Sequence, residues 1–213
     1  MESLDEMIIN NEEYNSNDVK SNVEKLELYS DNYPFNLPLR ISTFDDESLY
    51  TKFIKNIEKS VRASIEYKLW TDYIKDVIGV QNCFITNERL DQVKIDIHHH
   101  IPSLYILVKA ILNKKIQETT EFCSFDIATE AIEVHFKNRV GYVALIKSMH
   151  EKFHNGFLRI PINLVKGDFQ WFIREYSEYL DQEDLDVINE RLTITDSNNN
   201  WSVDNYPGVS TGG

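Results

Sequence analysis

The chain has 213 residues, which suits one domain with appendages or two small domains, and with 42% hydrophobic residues it can bury a real core. Its formal net charge of −13 argues against a general nucleic-acid binder, because neutralising phosphates takes Lys and Arg. Apolar runs are short and broken by lysines, far below the roughly 20 residues of a membrane span, and two separated cysteines give no disulfide framework, which points to a reducing cytoplasm.

Residues 1–40 are rich in Asn, Glu, Asp and Ser and are expected to form an extended acidic arm without signal-peptide character, with Pro34 and Pro38 marking the entry into ordered structure. From Asp45 to Ile78 apolar residues recur every fourth position, at Leu49, Phe53, Ile57, Val61 and Ile65 and then Leu69, Tyr73 and Val77. That series predicts one long helix or two consecutive ones, closed by Gly79, so residues 41–80 form a helical segment packing on the core. The core itself is assigned to residues 81–192. Cys83-Phe84-Ile85 and Val93 to Ile97 read as two short strands, the second delivering a histidine triplet. A helix from Ser103 to Ile116, with Ser103 as N-cap, and another from Ser124 to Phe136, with Ile127, Ala131, Val134 and His135 inward, form a helical insert. Tyr142 to Lys147 reads as a strand running into His150. Phe157 to Val165 is strand-like, with Pro161 favouring an edge. Asp168 caps a helix through Leu180, and Glu183 to Leu192 is a second. Residues 193–213 are a polar tail in which Trp201, Tyr206 and Pro207 are expected to dock another protein.

Five of the six histidines fall into two clusters, His98-His99-His100 at the end of a β-branched run and His150 with His154 at helical i, i+4 spacing. Neutral imidazole is both a ligand for divalent transition metals and a general base near neutral pH. Asp96 alternates with His98 along the strand and shares its face, so it is a candidate supporting carboxylate. The stretch holding both clusters, residues 98–166, is the one positive segment, with 9 basic and 6 acidic side chains, whereas residues 1–97 and 167–213 each carry −8.

The order of strand, His-His-x-x-Pro, strand, and helix with His-x-x-x-His resembles the ββα-metal core of the HNH (His-Asn-His) nucleases, in the manner of a phage-encoded member. The resemblance implies an α+β fold in which a ββα-metal, HNH-like core is embedded in helices, with extended N- and C-terminal arms. It implies one divalent ion, Zn, Ni, Mn or Mg, held by His98, His150 and His154, with His99 activating water. A one-residue slip makes His99 and His100 the pair, so both are candidate catalytic residues. Imidazole softness suits Zn, Ni or Mn better than Mg. Lys147, Lys152 and Arg159 would contact phosphates. Gly141 stands where the family's middle Asn opens the second strand, and Asn138 lies three residues earlier as a candidate supporting residue. The paired CxxC motifs of many HNH proteins are absent.

The activity implied is metal-dependent hydrolysis of DNA phosphodiesters in the host cytoplasm, with DNA as partner and no membrane. The alternative is a non-catalytic HNH-fold structural or packaging protein of a phage particle, located in the virion, whose terminal arms dock other phage proteins.

Overall fold

The computed structural model describes residue 39, residues 41–118 and residues 121–195. The acidic arm of residues 1–40, apart from Leu39, and the tail residues Trp201, Tyr206 and Pro207 lie outside the described residues. Among the described residues, seven α-helices and a two-stranded antiparallel sheet make an α+β fold.

A short 3-10 turn, Ile41–Asp45, leads into α1, Glu47–Ala63, where Asp46 accepts a hydrogen bond from the Leu49 amide at 3.0 Å. Helix α2, Ile65–Asp76, begins at Ser64. The Ser64 hydroxyl donates to the Val61 carbonyl and accepts from the Tyr67 amide at 3.1 Å, so one residue ends α1 and starts α2. The break resets the helical phase. Ile54, Ile57 and Val61 are buried in α1, but in α2 the buried residues are Tyr67, Trp70 and Ile74. The fourfold series expected to face inward throughout does so only from Phe53 to Val61, and Leu49 before it and Ile65, Leu69, Tyr73 and Val77 after it are exposed.

The first expected strand is corrected. Cys83-Phe84-Ile85 is a turn beside an isolated bridge between Asn82 and Arg89, although the Phe84 amide does reach the Ala144 carbonyl at 2.8 Å. Strand β1, Ile95–Ile101, is displaced from the expected Val93–Ile97 and contains the histidine triplet instead of ending before it. Helices α3, Leu104–Glu118, and α4, Ser124–Phe136, follow. Leu104, Leu107, Val108 and Ile111 of α3 are fully buried, and α3 packs on α1, α4 and α6. Strand β2, Gly141–Ile146, returns antiparallel to β1 with His98 opposite Val143 and His99 opposite Tyr142. Every residue of β2 is buried, as in a strand covered on both faces. Helix α5, Lys147–His154, follows β2 without a loop and packs on both strands, giving the strand order β1–β2–α5.

Phe157 to Val165 is not a strand. It is irregular backbone with a 3-10 turn at Ile162–Leu164, entered from Pro161. Helix α6, Phe169–Tyr176, is capped by Asp168 and runs into a 3-10 turn, Ser177–Tyr179. Helix α7, Gln182–Thr193, closes the described chain. Its N-terminus is tied to α3 by Lys109, which sits 2.6 Å from Asp184 and also meets Asp181.

The sheet depends on Gly141. It pairs with Ile101 after an irregularity between His99 and Ile101. A Cβ there would sit 2.7 Å from the Ile101 carbonyl oxygen and 2.9 Å from Val165 Cγ1, so the position expected to hold a family Asn admits no side chain at all. Asn138, the alternative, is used otherwise: it adopts a left-handed conformation (φ 55°) just beyond α4, and its carbonyl accepts from the Asp168 amide at 2.8 Å.

Because backbone on one side and packed side chains on the other bound that space, Gly141→Ala is expected to destabilise the fold by about 1–3 kcal/mol, the usual cost of overpacking. A urea or thermal melt reads this. A melting temperature unchanged within a degree would show that β1 and β2 can separate freely at this end.

Candidate metal centre

Residues of a strand point alternately to its two faces, and β1 spends that alternation on consecutive histidines. His98 and Asp96 turn toward α5, and His99 turns the other way, toward α2 and α4. Two separate histidine environments result.

On the α5 face His98, His150 and His154 converge. His98 Nδ1 lies 2.9 Å from His150 Nε2, and His154 Nε2 lies 3.0 Å from the same nitrogen. One ligand atom from each of the three lies within 4.8 Å of the others. The i, i+4 spacing in α5 stacks His150 and His154, and β1 presents His98 against them. Asp96 Oδ2 lies 3.7 Å from His150 Nδ1. A carboxylate there favours the tautomer with the proton on Nδ1 and leaves the Nε2 lone pair facing the other two rings.

That arrangement is served badly by protons alone. One ring nitrogen makes two close contacts, while a neutral imidazole nitrogen either donates one proton or offers one lone pair. A cation accepting all three lone pairs resolves the conflict. For a tetrahedral ion with metal–nitrogen bonds near 2.1 Å, neighbouring ligands lie about 3.4 Å apart, so small movements would open this trio to fit. Protonation is not a competitor at His98, since burial, followed by the neighbouring imidazoles, holds its pKa down to about 2. The His154 pKa is also lowered, first by burial and then by His150. Ligand-ready neutral imidazoles are what a divalent metal requires. His98 is buried, His150 half-buried and His154 exposed, so the trio opens toward solvent at the C-terminal end of α5.

His100 lies on the α5 side but one step deeper. Its ring centroid is 5.3 Å from that of Phe153 and 6.2 Å from that of His98. It is fully buried, and neither ring nitrogen has a hydrogen-bond partner among the described residues. Arg191 donates to the His100 carbonyl, and burial together with that guanidinium lowers the His100 pKa to about 3.

His99 is not brought to the trio. Tyr67, Trp70, Tyr142 and His135 enclose the pocket it occupies, with Trp70 stacked on it at 5.3 Å and Tyr67 at 5.7 Å. Its hydrogen bonds fix every proton. His135 Nδ1 donates to the Ala131 carbonyl at 2.5 Å, leaving His135 Nε2 as acceptor. His99 Nε2 therefore donates to it, at 2.6 Å, and His99 Nδ1 accepts from the Tyr67 hydroxyl at 3.2 Å. Both nitrogens of His99 are thus committed, and none remains for activating water. Sequence reasoning set His135 apart from both clusters. Its inward position in α4 was legible, but its pairing with His99 depends on which face of β1 His99 takes.

The expected phosphate contacts have carboxylate neighbours. Lys147 lies 3.7 Å from Glu151, and Arg159 lies 3.8 Å from Glu190. Lys152 sits between the two α5 histidines in sequence and is half-buried. Asn138 belongs to the turn after α4 and not to the trio.

Comparison with known families gives a match. The model of the bacteriophage G278-like virion protein family covers residues 2–205, and the chain belongs to that family. No curated protein and no solved structure matches. Nothing in these comparisons shows an HNH nuclease family, so the family identity is that of a phage virion protein, and other phage proteins are the partner class it suggests. Among the described residues no helix is long and apolar enough to cross a membrane.

The buried His99–His135 chain makes stability depend on pH. In the unfolded chain both imidazoles titrate near 6.5. Folding lowers His135 to about 4, by burial first, and His99 well below its ordinary value, by burial and then by His135. Above pH 6.5 both states are neutral and this contribution is complete. As pH falls from 6.5 toward 4 the unfolded chain takes up protons that the fold refuses, so stability declines, by up to about 1.4 kcal/mol per pH unit for each imidazole. The melting temperature is expected to be level from pH 8 to 7 and to drop between pH 6 and 4, with a shallower slope in His135→Asn. A level profile down to pH 4.5 would refute the assignment of neutral, mutually bonded rings.

Proposed function

We propose that this virion protein is a structural component of the phage particle, and that His98, His150 and His154 hold one divalent ion that clamps β1 to α5. The observation that carries the metal half of the proposal is the convergence of three imidazole nitrogens on one point, with Asp96 behind His150. The donor set is all nitrogen, which suits Zn²⁺ or Ni²⁺, accommodates Mn²⁺ less well and Mg²⁺ least. When bound, the ion supplies a crosslink between two elements that are otherwise joined by packing, and ligand binding of that kind stabilises the native state by mass action. Asp96 orients His150, and Phe153 and His100 close the inner wall behind His98.

The family carries the structural half of the proposal. It is also favoured by what surrounds the trio. Hydrolysis of a phosphodiester needs a base within reach of the attacking water. His99 has both nitrogens committed on the far face of β1, and His100 is fully buried. Two of the three candidate phosphate contacts already have acidic neighbours. The virion is then the site of action, and DNA is not required as a partner.

A second reading keeps the trio as the centre of an HNH-type DNA endonuclease. The exposed position of His154 favours it, since an open side leaves room for water and substrate. In that case the ion would act as a Lewis acid toward phosphate, and His100 would need to swing outward to serve as base.

The readings separate in two measurements on the purified full chain. Metal analysis after dialysis against Zn²⁺ should give one ion per chain, falling well below that in His150→Ala and His154→Ala, and added Zn²⁺ should raise the melting temperature of the wild type but not of those variants. Plasmid incubated with protein at low salt should remain supercoiled with Zn²⁺, Ni²⁺, Mn²⁺ or Mg²⁺. Nicking that disappears in His150→Ala would overturn the structural role in favour of the nuclease. Failure to bind any of the four ions would overturn the clamp.

A further inference from the structure

The phase change at Ser64 leaves α2 with two apolar faces. One is buried through Tyr67, Trp70 and Ile74. The other points to solvent. Ile65 is 73% exposed, Leu69 55% and Tyr73 50%, and Val77, just past the helix end, continues the line. Scattered apolar residues on a surface are ordinary, but a ridge of four large ones on a single face is the kind of patch that marks an interaction site. This ridge stands on a chain with a net charge of −13, where exposed apolar groups have abundant polar replacements.

The ridge also has a definite geometry. Its members are spaced by four residues, and an i±4 ridge packs into the groove beside another i±4 ridge, the commonest mode of helix pairing. Its flank carries a matched pair of charges. Lys68 and Asp72 lie one turn apart on the same side of the ridge, where an i, i+4 pair could join within the helix. They do not: neither enters an ion pair or a side-chain hydrogen bond among the described residues. When two copies of α2 pack antiparallel about a two-fold axis, the same flank of each helix faces itself with the direction reversed. Lys68 of one copy then meets Asp72 of the other, and the reverse pair forms by symmetry. Such an isologous contact uses one patch twice. A parallel arrangement would bring different flanks together and lose both pairs. Antiparallel packing also sets Asp76, at the end of α2, toward the N-terminus of the other copy's α2, where the helix dipole favours an anion.

We propose that the α2 ridge, Ile65, Leu69, Tyr73 and Val77, is a self-association surface on which a second copy of this chain docks antiparallel, with Lys68 and Asp72 fixing the direction. A lone helix pair lies near the lower end of stable interface sizes, about 1,200 Å² in total, so the contact is weak for free chains and is driven by high local concentration.

The experiment is sedimentation velocity on the full chain, from low micromolar to several hundred micromolar. The weight-average mass is expected to rise from one chain toward two. Leu69→Asp should shift the midpoint upward at least tenfold, with the melting temperature retained because Leu69 is already exposed. Lys68→Asp alone and Asp72→Lys alone should each weaken association, and the double exchange Lys68→Asp with Asp72→Lys should restore it. That rescue requires the antiparallel facing of one flank on itself. A mass of one chain at every concentration overturns the proposal and turns attention to residues 1–38 of the same chain, or a different phage protein, as the cover of the ridge. A dimer indifferent to Leu69→Asp places the contact elsewhere and overturns it too. A dimer weakened by Leu69→Asp that the double exchange fails to restore overturns the antiparallel direction.

Discussion

The period-two alternation of a β-strand is the constraint on which the rest of this molecule depends. Strand β1 carries three consecutive histidines, and a strand cannot send neighbours to the same side. Pairing with β2 fixes which side each one takes, because a slip of one residue would exchange the faces. With His98 opposite Val143 and His99 opposite Tyr142, His98 meets α5 and His99 meets α2 and α4. Gly141 secures that register, since β1 and the 165–169 segment approach too closely there for any side chain. A single pairing thereby produces a solvent-facing nitrogen cluster on one side and a closed proton chain on the other.

The two sides illustrate how burial chooses between histidine chemistries. Tyr67, His99, His135 and the Ala131 carbonyl form a run in which each donor has one acceptor, so the buried polar atoms are satisfied without charge. Aromatic walls from Tyr67 and Trp70 complete the enclosure. This is a structural use of histidine, and a stable one near neutral pH. The α5 side has the opposite character. Its three nitrogens cannot all be satisfied by one another, and the cluster opens to water at His154. The contrast explains why sequence spacing alone pointed to several bases and ligands from one triplet, when the fold places the members of that triplet in different surroundings.

Local signals in the chain were legible where the physics is local. The helical periods of α1, α3, α4 and α7, the capping roles of Ser103 and Asp168, and the i, i+4 pairing of His150 with His154 all follow from residues within a turn or two. The convergence of His98 with that pair was suggested by the order of the elements. What was not legible has two sources, a local break hidden inside a continuous period and contacts made by distant segments. The every-fourth-residue series from Leu49 to Val77 looks continuous, yet Ser64 bonds both the preceding and the following turn and rotates the second helix. Cys83–Ile85 and Phe157–Val165 have strand composition, but neither forms a ladder with β1 or β2: Phe84 reaches Ala144 through one backbone bond, and the Tyr142–Lys166 bridge lies just past Val165. The absence of a family Asn at position 141 was readable as a departure. That no side chain could stand there was not, because the obstruction comes from Ile101 and Val165.

The charge distribution joins these findings. The segment of residues 98–166 is positive in sequence, yet in the fold several of its cations are answered by acids outside it, Lys109 by Asp181 and Asp184, Lys114 by Glu175 and Arg159 by Glu190, while Lys115 meets Glu130 within the segment. A basic stretch that neutralises its own chain has little left for phosphates, and this weighs toward a component of an assembly over an enzyme on DNA. Helix α2 supplies the complementary geometric argument. Its inner face covers His99 on one side of the sheet, while the histidine trio lies on the other side, against α5. The outer ridge of α2 therefore faces away from the trio. A copy docked on that ridge would leave the histidine trio open to solvent, and an ion held by the trio between β1 and α5 would leave the ridge untouched, so the two proposed contacts are compatible in one molecule.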